Sequence, residues 1–263
     1  MSMFQRRRSY CSKKNFPAEA IPQPLYFSSR WPFSVIKSNL LFNQLLPLFA
    51  TAAPGVTRLF FAVTVNILFN AESALPVLTD FGLIMALSMM LSQGFSLLLL
   101  KEVGQDYQAS VSIASYSIAG LGVIILHVLF LHNFINFLIP SVILFLGLVG
   151  YQNIRHNLLR QGAFLQISCL EFVLWTVFGS MVAWLHLVGR VNPLNLLYAF
   201  AFLFALFSLY ELLHLDYRKC KSSIVRLCSS QAGIIGATNV LSAGLVWVLP
   251  KMSAQTFETE QVV

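Results

Sequence analysis

Long apolar runs separated by short polar turns follow one another along the chain from about residue 36 onward. Each run is close to the roughly 20 residues that a helix needs to cross the hydrocarbon core of a bilayer. The runs predict membrane spans at about residues 39–69, 77–100, 109–131, 134–151, 163–188, 193–215 and 229–249. The hydrophobic pattern therefore predicts about seven transmembrane helices.

Two features of the first span distinguish it from the others. It covers about 30 residues, which is long for a straight crossing. It also contains Pro47 and the pair Pro54 and Gly55. Because proline cannot donate a backbone hydrogen bond within a helix, we expect this helix to be kinked or broken at a point that lines a protein or water-filled cavity.

The composition agrees with a membrane protein and excludes an ordinary soluble domain. The chain is 57% hydrophobic and only 10% charged, with a mean hydropathy of +0.73, whereas soluble domains carry about a quarter charged residues. Leucine-rich runs and 23 phenylalanines favour helices over a barrel, which would show ~10-residue segments of alternating polarity. The predicted fold class is an all-α membrane protein.

Positive charge is distributed unevenly between the two predicted sides of the membrane. Of the 17 Lys and Arg residues, 14 fall in segments on the side of the N-terminus, and only Arg190 and Lys251 fall in segments on the opposite side. Cytoplasmic loops carry such an excess, so we predict a cytoplasmic N-terminus and a C-terminus outside. The net charge of +7 therefore reports membrane topology, and nucleic acid is not expected as a partner.

The pattern divides the chain into four parts. Residues 1–35 are basic and rich in proline, and we expect a flexible cytoplasmic tail. Residues 36–215 form the six-helix transmembrane bundle, residues 216–228 a basic cytoplasmic linker, and residues 229–263 the seventh helix with a polar tail. The four cysteines show no CxxC spacing, so we expect no disulfide, no metal site and no cofactor.

Two opposite charges lie within the first predicted hairpin. Arg58 lies in the first span and Asp80 in the second, at similar distances from the turn that joins them. A charge inside a membrane helix is costly, and it usually marks a substrate or ion pathway or has an oppositely charged partner. We therefore consider two interpretations, a pathway role and a structural Arg58–Asp80 ion pair.

Two glutamates lie in later spans. Glu171 is near the middle of the fifth span, and Ser168 and Trp175 share its helical face. Glu211 is close to the inner end of the sixth span. Each is a candidate pathway residue, and the alternative for Glu211 is a side chain that extends to the inner membrane surface.

Several segments together resemble a known family of transporters. They are the Arg-Leu-Phe followed by a short polar turn, the second span with its end FGLIMALSMMLSQGFSLLLLKEVGQ, the segment YQNIRHNLLRQGAFLQ, and a basic loop before a seventh span rich in small residues. This order resembles the first half of polysaccharide exporters and lipid-linked oligosaccharide (O-antigen) flippases. These belong to the superfamily that also contains the multidrug and toxic compound extruders. The resemblance covers about residues 36–252.

The resemblance implies two six-helix bundles around a central cleft that opens alternately to each side. This chain supplies one bundle and the first helix of a second lobe, so the resemblance implies a truncated or partial transporter that needs a second polypeptide or a homodimer. It also implies a bacterial inner-membrane location, a lipid-linked saccharide as substrate and no enzymatic activity. Arg58 would attract the substrate's pyrophosphate or acidic sugars, while Asp80, Glu171 and Glu211 would hold Arg58 or carry a coupling proton or sodium ion.

Three other classes remain open at this stage. A membrane glycosyltransferase or polysaccharide polymerase would present acidic residues outside the membrane, where the short predicted segments contain only Glu72. A multidrug-type cation extruder would favour an acidic pocket without Arg58. A membrane scaffold would not need buried charges.

Overall fold

The computed structural model describes residues 40–98 and 105–215, and every regular element within them is a helix. The helices are α1 (Leu40–Leu68), α2 (Ala71–Leu91), α3 (Gln93–Leu98), α4 (Gln105–Leu131), α5 (Leu138–Arg160), α6 (Phe164–Leu187) and α7 (Pro193–His214). Six of them are long and apolar enough to cross a membrane. The prediction of an all-α membrane protein is confirmed. The basic tail, the 216–228 linker and the seventh span lie outside the described residues.

Side chains define where two of these helices begin. Asn70 precedes α2, and its Oδ1 accepts a hydrogen bond from the backbone nitrogen of Ser73 at 3.1 Å. Asn192 precedes α7 and accepts from the nitrogen of Asn195 at 2.6 Å. Such N-caps satisfy backbone donors that have no partner within the helix. The helix that was predicted to begin near residue 77 consequently begins directly after Asn70.

Three helices end in the same backbone geometry. The second residue after the end of α4, α5 or α6 adopts a left-handed conformation, with φ of 59° at Asn133, 68° at Gly162 and 64° at Gly189. After α6, the nitrogen of Arg190 donates to the carbonyl of Leu185 at 3.0 Å. This bond closes a Schellman motif, for which glycine and asparagine are the favoured residues. The sharp reversals let consecutive helices pack antiparallel.

The turns after α1, α4 and α6 lie at one end of the bundle, called here the turn end.

Helix α5 extends further than the sequence predicted. The fourth span was expected to end near residue 151, with residues 153–162 at the cytoplasmic surface, but α5 continues to Arg160. Asn153 and His156 are only 1% and 3% exposed. That part of the prediction is wrong, because polar side chains here have hydrogen-bond partners within the bundle and no helix-breaking residue lies between Asn153 and the turn after α5.

The predicted second span is divided in two. Helix α2 ends at Leu91 and α3 begins at Gln93. Between them, Ser92 is buried and its Oγ donates to Gln152 Oε1 of α5 at 2.8 Å. This bond fixes the interruption against the centre of the bundle.

Helices α5 and α7 approach each other more closely than a side chain would allow. A Cβ atom added to Gly150 would lie 2.4 Å from Ser208 Cα, and one added to Gly147 would lie 2.6 Å from the carbonyl carbon of Phe204. Ser208 Oγ also donates to the carbonyl oxygen of Leu146 at 2.5 Å. Small residues permit this backbone approach between membrane helices. It positions α7 firmly against α5.

Buried phenylalanines of four helices form a layer in the half of the bundle nearer the turn end. Phe61 of α1 packs in a tilted arrangement against Phe81 of α2 and Phe200 of α7, with ring centroids 4.6 Å apart in both pairs. Phe178 of α6 lies 5.2 Å from Phe200, and Phe204 lies 4.9 Å from it. This aromatic layer packs four helices, α1, α2, α6 and α7, against one another.

Candidate functional site

The first polar site surrounds Glu171, which is fully buried. Thr57 Oγ1 of α1 donates to Glu171 Oε2, and the Tyr151 hydroxyl of α5 donates to Glu171 Oε1. Trp175 Nε1, one turn along α6 from the glutamate, donates to Thr57 Oγ1 at 2.7 Å. These four residues are called the Glu171 cluster. They join α1, α5 and α6 and confirm that Glu171 and Trp175 share one face of α6.

Two arginines lie within electrostatic range of this cluster. Arg58 is half-buried on α1 next to Thr57. It interacts electrostatically with Tyr151, Glu171 and Arg155. Arg155, also half-buried, comes from the last turns of α5. The site therefore combines one buried carboxylate with two guanidinium groups. Such an arrangement attracts anions while it keeps the carboxylate electrostatically balanced.

Arg155 also repairs the break that proline makes in α1. Pro54 has no backbone N–H, so the carbonyl of Ala50, four residues earlier, lacks its usual helical donor. Arg155 Nη2 lies 3.2 Å from the Ala50 carbonyl oxygen and 3.3 Å from that of Thr51. Arg155 was predicted to face the cytoplasm, and the structure instead uses it to join α5 to α1.

Replacing Arg155 with methionine is expected to lower the free energy of unfolding by about 1–3 kcal/mol, because a buried carbonyl loses a charged donor. In a Pro54→Ala background the loss should be clearly smaller, since the new N–H of residue 54 can bond to the Ala50 carbonyl. Unfolding in mixed detergent micelles measures both differences. Equal losses in the two backgrounds would contradict the repair role.

The second polar site surrounds Glu211, which is 8% exposed. Ser112 Oγ donates to Glu211 Oε1 at 2.7 Å, and the Tyr116 hydroxyl donates to Oε2 at 2.8 Å. Asn153 Nδ2 lies 3.3 Å from Oε2 and 2.8 Å from Ser115 Oγ. These residues form the Glu211 cluster, which joins α4, α5 and α7. The idea that Glu211 extends to the inner membrane surface is wrong, since its hydrogen bonds hold it inside the bundle.

Asp80 of α2 is fully buried, and its side chain lies against the residues that precede α5. Its carboxylate accepts hydrogen bonds from the backbone nitrogens of Asn136, at 3.0 Å, and Phe137, at 2.8 Å, and from Asn136 Nδ2 at 2.9 Å. A carboxylate is favourable at a helix N-terminus, where backbone donors are unpaired. These bonds differ from the predicted pair with Arg58, whose charged neighbours are Glu171 and Arg155. Asp80 thus has a structural position at the α4–α5 turn.

Three consecutive residues of α5 connect the polar sites. Tyr151 contacts Glu171, Gln152 contacts Ser92, and Asn153 contacts Glu211. Successive side chains of a helix point about 100° apart, so each reaches a different neighbouring helix. The sequence motif Tyr-Gln-Asn was visible, but it was interpreted as the edge of the membrane. The signal that was available is the absence of a helix breaker between this motif and the glycine that ends α5.

These sites can bind ions through the charges of their carboxylates and arginines and through the oxygen atoms of their side chains. Within residues 40–98 and 105–215, no three His, Cys, Asp or Glu side chains come together as a metal site would require. Comparison with known proteins finds no match to any family model, curated protein or solved structure. The function is therefore argued from the bundle and its buried charges.

Proposed function

We propose that this chain is one lobe of a flippase-like exporter in the bacterial inner membrane. It moves a lipid-linked saccharide precursor, such as an O-antigen repeat unit, by alternating access. The observation that carries the proposal is the Glu171 cluster, a buried carboxylate with two arginines within electrostatic range, inside a bundle of helices long and apolar enough to cross a membrane. Buried ionisable groups in membrane helices usually belong to a transport pathway.

Arg58 is the residue that recognises the substrate in this scheme. Its guanidinium is half-buried and lies next to the Glu171 cluster. A guanidinium binds phosphate through two parallel hydrogen bonds, and a lipid-linked saccharide carries a pyrophosphate between lipid and sugar. Glu171 balances Arg58 when substrate is absent.

Glu171 and Glu211 are the candidate coupling residues. Among the residues that the structure describes, the direct hydrogen bonds to both carboxylates come from neutral hydroxyl and amide groups, namely Thr57 and Tyr151 at one site and Ser112, Tyr116 and Asn153 at the other. A carboxylate held in this way can take up a proton or a sodium ion without breaking an ion pair. Binding of that ion changes the charge that Arg58 experiences and so links ion movement to substrate release.

Alternating access requires two bodies that move against each other around a site. In this proposal, the described bundle is one body, with α5 at its centre. The second is another lobe or a second copy of the chain, and the predicted seventh span would contact it. The close contact between α5 and α7 suits a bundle that moves as one unit.

The proposal predicts that Arg58→Ala abolishes flipping and that Arg58→Lys restores only part of it. Lysine keeps the charge but lacks the planar fork that grips phosphate. The measurement is the flipping of labelled lipid-linked saccharide in vesicles that contain the transporter together with its second lobe, if one is required. Normal flipping by Arg58→Ala at equal protein levels would disprove the role of Arg58.

A further inference from the structure

A groove of about 430 Å³ lies on the outer side of α6 and α7, beside the turn that joins them. Its walls are Met181 and Trp184 of α6 and Tyr198 and Phe202 of α7, and α5 contributes Ile143. Its volume is within the range of small-molecule sites. The groove shares no residue with the Glu171 or Glu211 clusters, so it needs an explanation of its own.

The polarity of the groove changes with distance from the turn. Arg190 lies in the turn and is exposed at the rim. Trp184 and Tyr198, which are 60% and 38% exposed, lie within about 8 Å of the helix ends, whereas Phe202 lies about 13 Å into α7. Aromatic residues with a polar edge favour the membrane interface. From rim to depth, the groove thus presents a cation, then amphipathic rings, then apolar side chains.

The backbone of Arg190 is held on both sides. Its nitrogen donates to the carbonyl of Leu185 at 3.0 Å, and its own carbonyl accepts from Asn195 Nδ2 at 2.7 Å. Asn195 itself lines the groove. A fixed backbone reduces the entropy that is lost when the side chain binds a ligand. The backbone from which the Arg190 side chain extends is therefore fixed at the rim before any ligand arrives.

We propose that the groove between α6 and α7 binds an anionic glycerophospholipid, with the lipid phosphate on Arg190 and one acyl chain between Trp184 and Phe202. The charge of the rim complements the phosphate, which arginine can grip with two hydrogen bonds. The aromatic rings lie where the glycerol and ester groups of the lipid would be, and the apolar depth matches the acyl chain. The site is accessible from the bilayer and does not depend on the proposed export function.

Quenching of Trp184 fluorescence by brominated acyl chains tests this site directly. The protein is placed in vesicles with increasing fractions of brominated phosphatidylglycerol or brominated phosphatidylcholine, and the signal of Trp184→Phe is subtracted from that of the wild type. We expect the anionic lipid to quench Trp184 with an apparent affinity about fivefold higher, since one arginine near an anionic lipid contributes about 1 kcal/mol. The preference should weaken in 1 M salt.

Arg190→Gln should reduce the preference to about one, because it removes the cation while leaving the exposed turn intact. Lys251→Gln is the matched control, since it removes the same charge from the other basic position that the sequence places outside, and it should keep the fivefold preference. Equal quenching by both lipids in the wild type, or an unchanged preference in Arg190→Gln, would overturn the proposal. Displacement of phosphatidylglycerol by a smaller fraction of undecaprenyl phosphate, a polyprenyl lipid of the kind that carries saccharides, would also overturn it, because the groove would then bind the lipid part of the proposed export substrate. None of these outcomes requires transport.

Discussion

Replacing Glu171 with glutamine is expected to slow export strongly while the protein remains folded. The glutamine side chain has the same shape, and its carbonyl oxygen can still accept a hydrogen bond from Thr57 or Tyr151, the present donors to Glu171. It carries no charge, however, so it can neither balance Arg58 nor bind and release a coupling ion. Because the variant lacks both the charge that balances Arg58 and the group that binds the ion, we expect flipping to slow by about 100-fold, which corresponds to roughly 2.7 kcal/mol in the barrier.

The initial rate of flipping in vesicles measures this effect, and thermal unfolding checks that the variant is folded. Glu72→Gln provides the matched control, because Glu72 is exposed in the first turn of α2 and the change in charge is the same. We expect the control to export at the wild-type rate. Wild-type export by Glu171→Gln at equal protein levels would remove Glu171 from the pathway and leave it a structural role between α1, α5 and α6.

Much of the helical framework could be predicted from hydrophobicity alone. The first, third, fifth and sixth predicted spans end within a few residues of α1, α4, α6 and α7, because the cost of burying polar backbone in lipid forces long apolar runs into helices. The face of α6 that contains Glu171 and Trp175 was also predictable, since it follows from a spacing of four residues. These successes depend on local sequence and on the bilayer.

The partners of the polar residues could not be predicted in the same way. Gln152 and Asn153 were expected near the membrane surface because polar residues next to an apolar run usually mark its edge. Their burial becomes favourable only because Ser92, between α2 and α3, and Glu211 of α7 offer hydrogen-bond partners. That depends on which helices are neighbours, and no local pattern contains it.

The hydrogen-bond partners of Asp80 could not be predicted from the sequence either. Its depth in the hairpin matched that of Arg58, and an ion pair was a reasonable expectation. The backbone nitrogens of Asn136 and Phe137 bind the carboxylate instead, because the N-terminus of α5 presents unpaired donors. Depth along a helix can be counted from sequence, whereas the direction of a side chain among six helices cannot.

Replacing Gly150 with leucine is expected to produce the largest loss of stability in the bundle. A Cβ at this position would lie 2.4 Å from Ser208 Cα and 2.7 Å from the Ser208 nitrogen. Both atoms belong to the backbone of α7, so no rotation of a side chain can relieve the contact and the two helices must separate. Overpacking typically costs about 1–3 kcal/mol and sometimes more. Because separation would also break the Ser208–Leu146 hydrogen bond, we expect a loss of at least about 3 kcal/mol.

Comparison with Gly179→Leu separates the cost of overpacking at Gly150 from the other effects of replacing glycine with leucine. Gly179 lies within α6, and a Cβ there would meet nothing within 4 Å, so this variant makes the same chemical change without the contact. Both substitutions gain helix propensity, by roughly 0.8 kcal/mol relative to glycine, and this gain cancels when they are compared. Unfolding in mixed detergent micelles should show Gly179→Leu at or above wild-type stability and Gly150→Leu well below it. Equal stability of the two variants would mean that α7 can move away from α5 at little cost, and the bundle would then not move as a single body during transport.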